Sequence, residues 1–263
     1  MTFRSPKKPP ITPPSAPAAG ATRGRQWLGL DVVGILLLSF FGLPLLTVGV
    51  LQAGEALGLW PKVGEGPATL AILLVQETGL LGITLASVSM GYGRSWRGVG
   101  LTPSRWPREA GLGLLAVVPL FLVQEAGMDL SLWLFRAFLP PETISRLLAG
   151  ENAALSALIG QPRPLVLGFA AVLVLLAPLA EEVFFRGFVQ EVFRERLGRW
   201  RTVLAAALLF AAIHRYAVQF LPVFLIGLLL SALYEWRRSL VAGMTAHALL
   251  NLLALLKLLK DLP

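Results

Sequence analysis

Six polar residues stand where apolar sequence surrounds them: Glu181, Glu182, Arg186, His214, His247 and Asn251. The first three close the run Pro164–Ala180, His214 closes Leu204–Ile213, and His247 and Asn251 lie inside Leu240–Leu256. Both histidines of the chain are in the set. An ionisable group in hydrocarbon costs about 2.5–3.5 kcal/mol on insertion scales, so it is retained mainly where it faces a cavity, a partner or a reaction. A carboxylate beside imidazoles in a poorly solvated site is suited to activating water, because low dielectric makes it a stronger base. Asn251 and His247 supply the donors that would hold a developing oxyanion.

Helical spacing ties these residues together. Glu182 and Arg186 are four apart with the acid first, the favourable order for a pair on one face. Glu181 points about 100° away from Glu182, so the two acids are not expected to share one partner equally. His247 and Asn251 are four apart and share a face. Glu181 and His214 are 33 apart, and their midpoint falls between Leu197 and Gly198. A helical hairpin turning near Gly198 would bring them to equal depth.

Each residue also has a plainer reading. Glu182–Arg186 alone reads as a buried structural ion pair. A lone histidine or Asn251 in a membrane helix reads as an interhelical hydrogen bond. Gln76-Glu77 and Gln124-Glu125 read as structural or interfacial, and Phe184, Phe185, Phe188 and Phe193 as packing or lipid-facing. Glu181, Glu182, His214, His247 and Asn251, five polar residues at specific spacings in three late runs, favour the functional reading.

The elements that must position them are membrane helices. Of 263 residues 56% are hydrophobic, and only 14% are charged against about 25% in soluble proteins. Mean hydropathy is +0.71. A span needs roughly 20 apolar residues. The apolar runs predict an all-α polytopic transmembrane bundle of about seven spans, within six to eight: 28–51, 68–89, 111–135, 164–190, 202–216, 217–234 and 239–257. The fifth and sixth are short and abut. The division expected is a Pro-rich, basic, disordered tail over 1–26, N-terminal transmembrane helices over 27–160, and catalytic helices over 161–263.

Net charge is +8, of which the tail's Arg4, Lys7, Lys8, Arg23 and Arg25 supply +5. The basic residues flank apolar spans, so positive-inside topology explains them and no nucleic-acid partner is expected. The alternation of basic and near-neutral loops puts the N-terminus in the cytoplasm. Cysteine is absent, which excludes thiol nucleophiles and thiolate ligands. No GxSxG occurs, and Asp is present only at 31, 129 and 261, which excludes a paired-aspartate GxGD site.

Glu181-Glu182-Val-Phe-Phe-Arg186 fits EExxxR, Phe210-Ala-Ala-Ile-His214 fits FxxxH, and His247-Ala-Leu-Leu-Asn251 fits HxxxN. In that order, within apolar spans, they resemble the CPBP family of intramembrane proteases: type II CAAX prenyl endopeptidases and bacteriocin-processing or immunity proteins. The motifs cover 181–251, about a quarter of the chain. The resemblance implies a helical bundle in the cell membrane with its site below the lipid surface, open toward the cytoplasm. It implies that Glu181 and His214 activate water, that His247 and Asn251 stabilise the oxyanion, and that Arg186 holds Glu182. The implied partners are membrane lipid and a peptide or protein substrate, prenylated or bacteriocin-like.

The cofactor stays open. Glu181, His214 and His247 would also make a His₂Glu set with one free position, the donor arrangement of many catalytic zinc sites. The chain has no HExxH, which favours a metal-independent glutamate mechanism. Two other classes remain: a proton- or ion-coupled transporter, which has no need of Asn251 at that spacing, and a non-catalytic immunity or scaffold protein.

Overall fold

A computed structural model of the chain describes residues 29–91, 99–101, 105–158 and 160–260. The tail expected over 1–26 lies outside them, as do Arg94 and Arg97 of the expected basic loop. The described residues form helices and no strand. In order these are α1 (Gly29–Ala56), α2 (Glu65–Met90), α3 (Trp106–Arg136), α4 (Pro141–Glu151), α5 (Arg163–Leu197), α6 (Arg199–His214), α7 (Phe220–Arg237) and α8 (Leu240–Lys260).

All but α4 and α6 are long and apolar enough to cross a membrane, so six spans are present by length. The expected span 202–216 is α6, at 16 residues shorter than a full crossing. The expected sixth span starts at Phe220 rather than 217, because Arg215 adopts a left-handed conformation and a short loop intervenes. The stretch read as a loop between the third and fourth spans contains α4, begun by Pro141 at its first turn.

Sequence punctuation sets the other boundaries. Gly198, at φ +73°, separates α5 from α6 and makes the predicted hairpin turn. Arg238, at φ +50°, ends α7. Helix α5 packs against α2 on one side and α8 on the other, while α8 lies against α3, α3 against α7, and α7 against α6. Gly113 lets α3 and α8 approach closely: a Cβ there would meet the carbonyl oxygen of Ala242 at 2.5 Å. Outward-facing Leu114, Leu115, Val118, Leu122 and Trp133 of α3 remain exposed, as lipid contact requires. The main apolar core gathers around Phe184, Phe185, Phe188 and Phe210.

Helix α5 is interrupted by two π-turn segments, Val172–Leu176 and Val183–Val189. The first has a local cause. Pro178 crowds the carbonyl of the preceding turn, and widening that turn relieves the contact. In the widened turn the Ala177 N–H bonds to Val172 O. Pro178 has no N–H to offer the next carbonyl, so Leu173 O is left without a partner inside its own helix.

Candidate active site

Glu182 lies at the centre of the polar cluster. Its Oε1 accepts Arg186 Nη1 at 2.9 Å, the four-residue pairing expected from the sequence. The same oxygen faces His247 Nδ1 of α8 at 3.1 Å. Arg186 is fully buried; its Nη2 donates to Gly227 O of α7 at 3.2 Å, and its guanidinium lies 4.7 Å from the Phe210 ring centroid. Gly243, one helical turn before His247, makes room for Glu182: a Cβ there would stand 2.8 Å from Oε2.

Glu181 also reaches His247, its Oε2 lying 3.8 Å from Nε2. Both acids thus address one imidazole through different nitrogens and at unequal distances. A carboxylate bonded to Nδ1 fixes the ring's orientation and places the hydrogen there. Nε2 then faces the Glu181 carboxylate across a gap wider than a direct hydrogen bond. Glu181 Oε2 and Glu182 Oε2 are buried and make no hydrogen bond with the described residues.

His214 ends α6. Its Nδ1 lies 2.7 Å from Phe210 O, and a carbonyl only accepts, so Nδ1 carries the hydrogen and Nε2 keeps its lone pair. Phe210 sits between the two imidazoles, with ring centroids 4.8 Å from His214 and 6.0 Å from His247. Tyr216 follows, 5.5 Å from the His214 ring. Burial first, and then the charge of Glu181, push the Tyr216 phenol above its ordinary pKa, so it stays an O–H donor.

The structure brings Glu181, Glu182, Arg186 and His247 into contact and joins His214 to them through Phe210. Asn251 is placed differently: its Nδ2 donates to Leu173 O at 2.9 Å, satisfying the carbonyl that the α5 π-turn orphans. One amide hydrogen of Asn251 remains uncommitted by that bond. Glu77 of α2 is also buried, with Gln76 donating to its Oε1 at 3.0 Å. Glu125 is instead partly exposed and faces Lys257. Among the described residues no group of three or more His, Asp or Glu side chains is arranged to hold a metal ion.

Sequence reasoning missed three contributors. The motif FxxxH contained Phe210, but nothing marked it as the spacer between the two imidazoles. Gly243 carried a readable signal, four residues before His247 on the same helical face. The Glu182–His247 pairing spans 65 residues, and no local spacing reports it.

Fold and site define a multi-pass α-helical membrane protein with an acid–imidazole cluster buried between its helices. Residues 163–253 match the family model of Type II CAAX prenyl endopeptidase Rce1-like proteins. The stretch that carries the site is therefore Rce1-like, a family of CAAX-type intramembrane proteases. The chain is also 40% identical over 83 residues to Uncharacterized protein YpbD of Bacillus subtilis (strain 168), a match covering 30% of this chain and 40% of YpbD. The chain thus spans less than half the length of that relative. No solved structure matches.

Proposed function

We propose that the chain is an intramembrane endopeptidase that hydrolyses membrane-associated peptides or protein tails with water activated by Glu181. The observation that carries this reading is His247 held between two carboxylates, 3.1 Å from Glu182 and 3.8 Å from Glu181, where two apolar helices pack together. Glu181 takes a proton from water as the oxygen attacks the scissile carbonyl carbon. The tetrahedral oxyanion accepts hydrogen bonds from the free N–H of Asn251 and from the Nε2–H of His247 as an imidazolium, whose Nδ1–H stays on Glu182. When the C–N bond breaks, the proton held by Glu181 passes to the leaving amine. His214, with Nε2 unprotonated, assists the proton transfer from water, and Glu182, held by Arg186, orients His247.

The arginines at 194, 196, 199, 201, 237 and 238 support an orientation with that end of the bundle, and the N-terminus, on the cytoplasmic side of the cell membrane. An apolar groove between α1 and the end of α6, lined by Leu36, Phe40, Ala212, Ile213 and Arg215, suits a lipid-bearing substrate such as a prenylated C-terminal tail.

The test is cleavage of prenylated and unprenylated peptides by purified protein in lipid, followed by mass spectrometry. Wild type is expected to cut the prenylated set, and Glu181→Ala and His214→Ala to lose about 100-fold or more. Cleavage that survives both substitutions removes the site assignment. Proton flux without cleavage of any peptide places the chain among transporters instead.

A further inference from the structure

The loop that follows His214 is fastened from outside the helices that carry the site. Glu151 is the last residue of α4. Its Oε1 accepts the backbone N–H of Ala217 at 2.6 Å and of Val218 at 2.8 Å, and its Oε2 accepts that of Gln219 at 3.0 Å. Asn152 Oδ1 accepts Gln219 Nε2 at 3.1 Å. Ser131 of α3 donates to the Val218 carbonyl from the opposite side, and Val218 is fully buried. Three side chains of the α3–α4 arm therefore clamp one short connection.

A carboxylate near the start of α7 also complements the helix dipole and satisfies orphan donors. That explains some of the bonding. Two features go beyond it. The clamp grips the three residues before α7, whose own N-cap, Gln219, makes no side-chain cap bond. The same connection begins with Arg215 in a left-handed conformation and Tyr216 against the His214 ring, so its position sets where the last turn of α6 ends.

We propose that Glu151 is a positioning residue for His214. It fixes the 215–219 connection, and through it the depth and angle of the imidazole relative to Glu181 and His247. This rests on the hydrolytic reading above. A carboxylate is needed because a carboxamide offers one acceptor oxygen and turns an N–H donor toward the remaining backbone N–H.

The experiment compares wild type, Glu151→Gln and Glu151→Asp, each with and without His214→Ala, as full-length protein in lipid. Glu151→Gln is expected to lower kcat about tenfold or more, because small misplacements of a reacting group cost that much. KM is expected to stay within about twofold. Glu151→Asp, which keeps the charge, recovers part of the loss. In the His214→Ala background Glu151→Gln changes the residual rate by less than about twofold, since the two residues act through one another. An undiminished effect in that background overturns the proposal. Should Glu151→Gln fail to fold, Ser131→Ala removes only the opposite half of the clamp and is expected to lower kcat in the same way; unchanged kcat there overturns it. A second readout does not use peptidase activity: the rate at which diethyl pyrocarbonate modifies His214, resolved from His247 by peptide mass spectrometry. A faster rate in Glu151→Gln supports the proposal even if wild type cuts no peptide, an outcome that would sink the hydrolytic reading alone. An unchanged rate overturns it.

Discussion

The molecule holds two clusters of glutamate and arginine at different depths. At the α5–α6 and α7–α8 turns, buried Glu235 faces Arg194 at 3.5 Å, Arg199 at 4.0 Å and Arg238 at 3.7 Å, and Glu191 pairs with Arg238 at 2.6 Å. Those arginine side chains are 39%, 50% and 38% exposed, so water or lipid headgroups complete their solvation. Deeper in the bundle, Arg186 and Glu182 are both buried, and no solvent is at hand to complete theirs. Arg186 must be satisfied by Glu182, Gly227 O and the face of Phe210. The outer cluster can lose a member and be rehydrated. The inner one cannot, which is why every neighbour of Glu182 is specified down to a missing methyl group at Gly243.

That difference is broken most directly by truncating the acid of each cluster. Glu182→Ala strands Arg186 and is expected to cost about 3–5 kcal/mol, the range for breaking a buried pair by removing one partner. Glu235→Ala leaves arginines that water can reach and is expected to cost about 1 kcal/mol. Thermal unfolding of both variants in one detergent measures the gap. Equal losses would mean that the inner cluster is hydrated, and the depth argument would fail.

A finer probe leaves every charge in place. Gly243→Ala puts a Cβ 2.8 Å from Glu182 Oε2, and that oxygen belongs to a carboxylate already held by Arg186 and His247. The expected cost is about 1–3 kcal/mol, typical of overpacking. Peptidase activity per folded molecule should fall as well, because His247 is displaced with the acid. Gly82, where a Cβ meets nothing within 4 Å, is the matched control. A Gly243→Ala variant as stable and as active as Gly82→Ala would show that Glu182 does not need that space.

What the sequence reveals divides along the same line. Apolar runs mark the long spans because lipid demands about 20 such residues whatever their neighbours. Gly198 marks the hairpin turn because only a residue free of Cβ readily takes φ +73°. Glu182–Arg186 is readable because both lie on one helix. The rest depends on contacts between helices. Asn251 reads as an oxyanion donor, but its bond to Leu173 O at the Pro178-linked π-turn, 78 residues away, has no local sequence signal. Glu151 reads as a loop charge, since nothing near it in sequence announces the backbone it binds. Helix α4 is hidden by the expectation that a polar stretch between spans is loop. The length of α6 is hidden because the apolar run continues past His214 into α7.

The smallest expected effect comes from a third pair, at the far end of α8. Lys257 lies 3.2 Å from Glu125 of α3, with side chains 64% and 43% exposed. Both ions keep most of their hydration, and holding two long side chains together costs rotamer freedom. Their attraction therefore comes out at about 0–1 kcal/mol. A double-mutant cycle with Lys257→Ala and Glu125→Ala, read by thermal unfolding, should return a coupling in that range that shrinks as salt is raised. The distance is close to that of the inner pair, 2.9 Å between Arg186 and Glu182, so geometry alone would predict similar couplings. If the outer cycle matches the loss in Glu182→Ala, separation rather than burial governs these pairs, and the contrast between the clusters has the wrong cause.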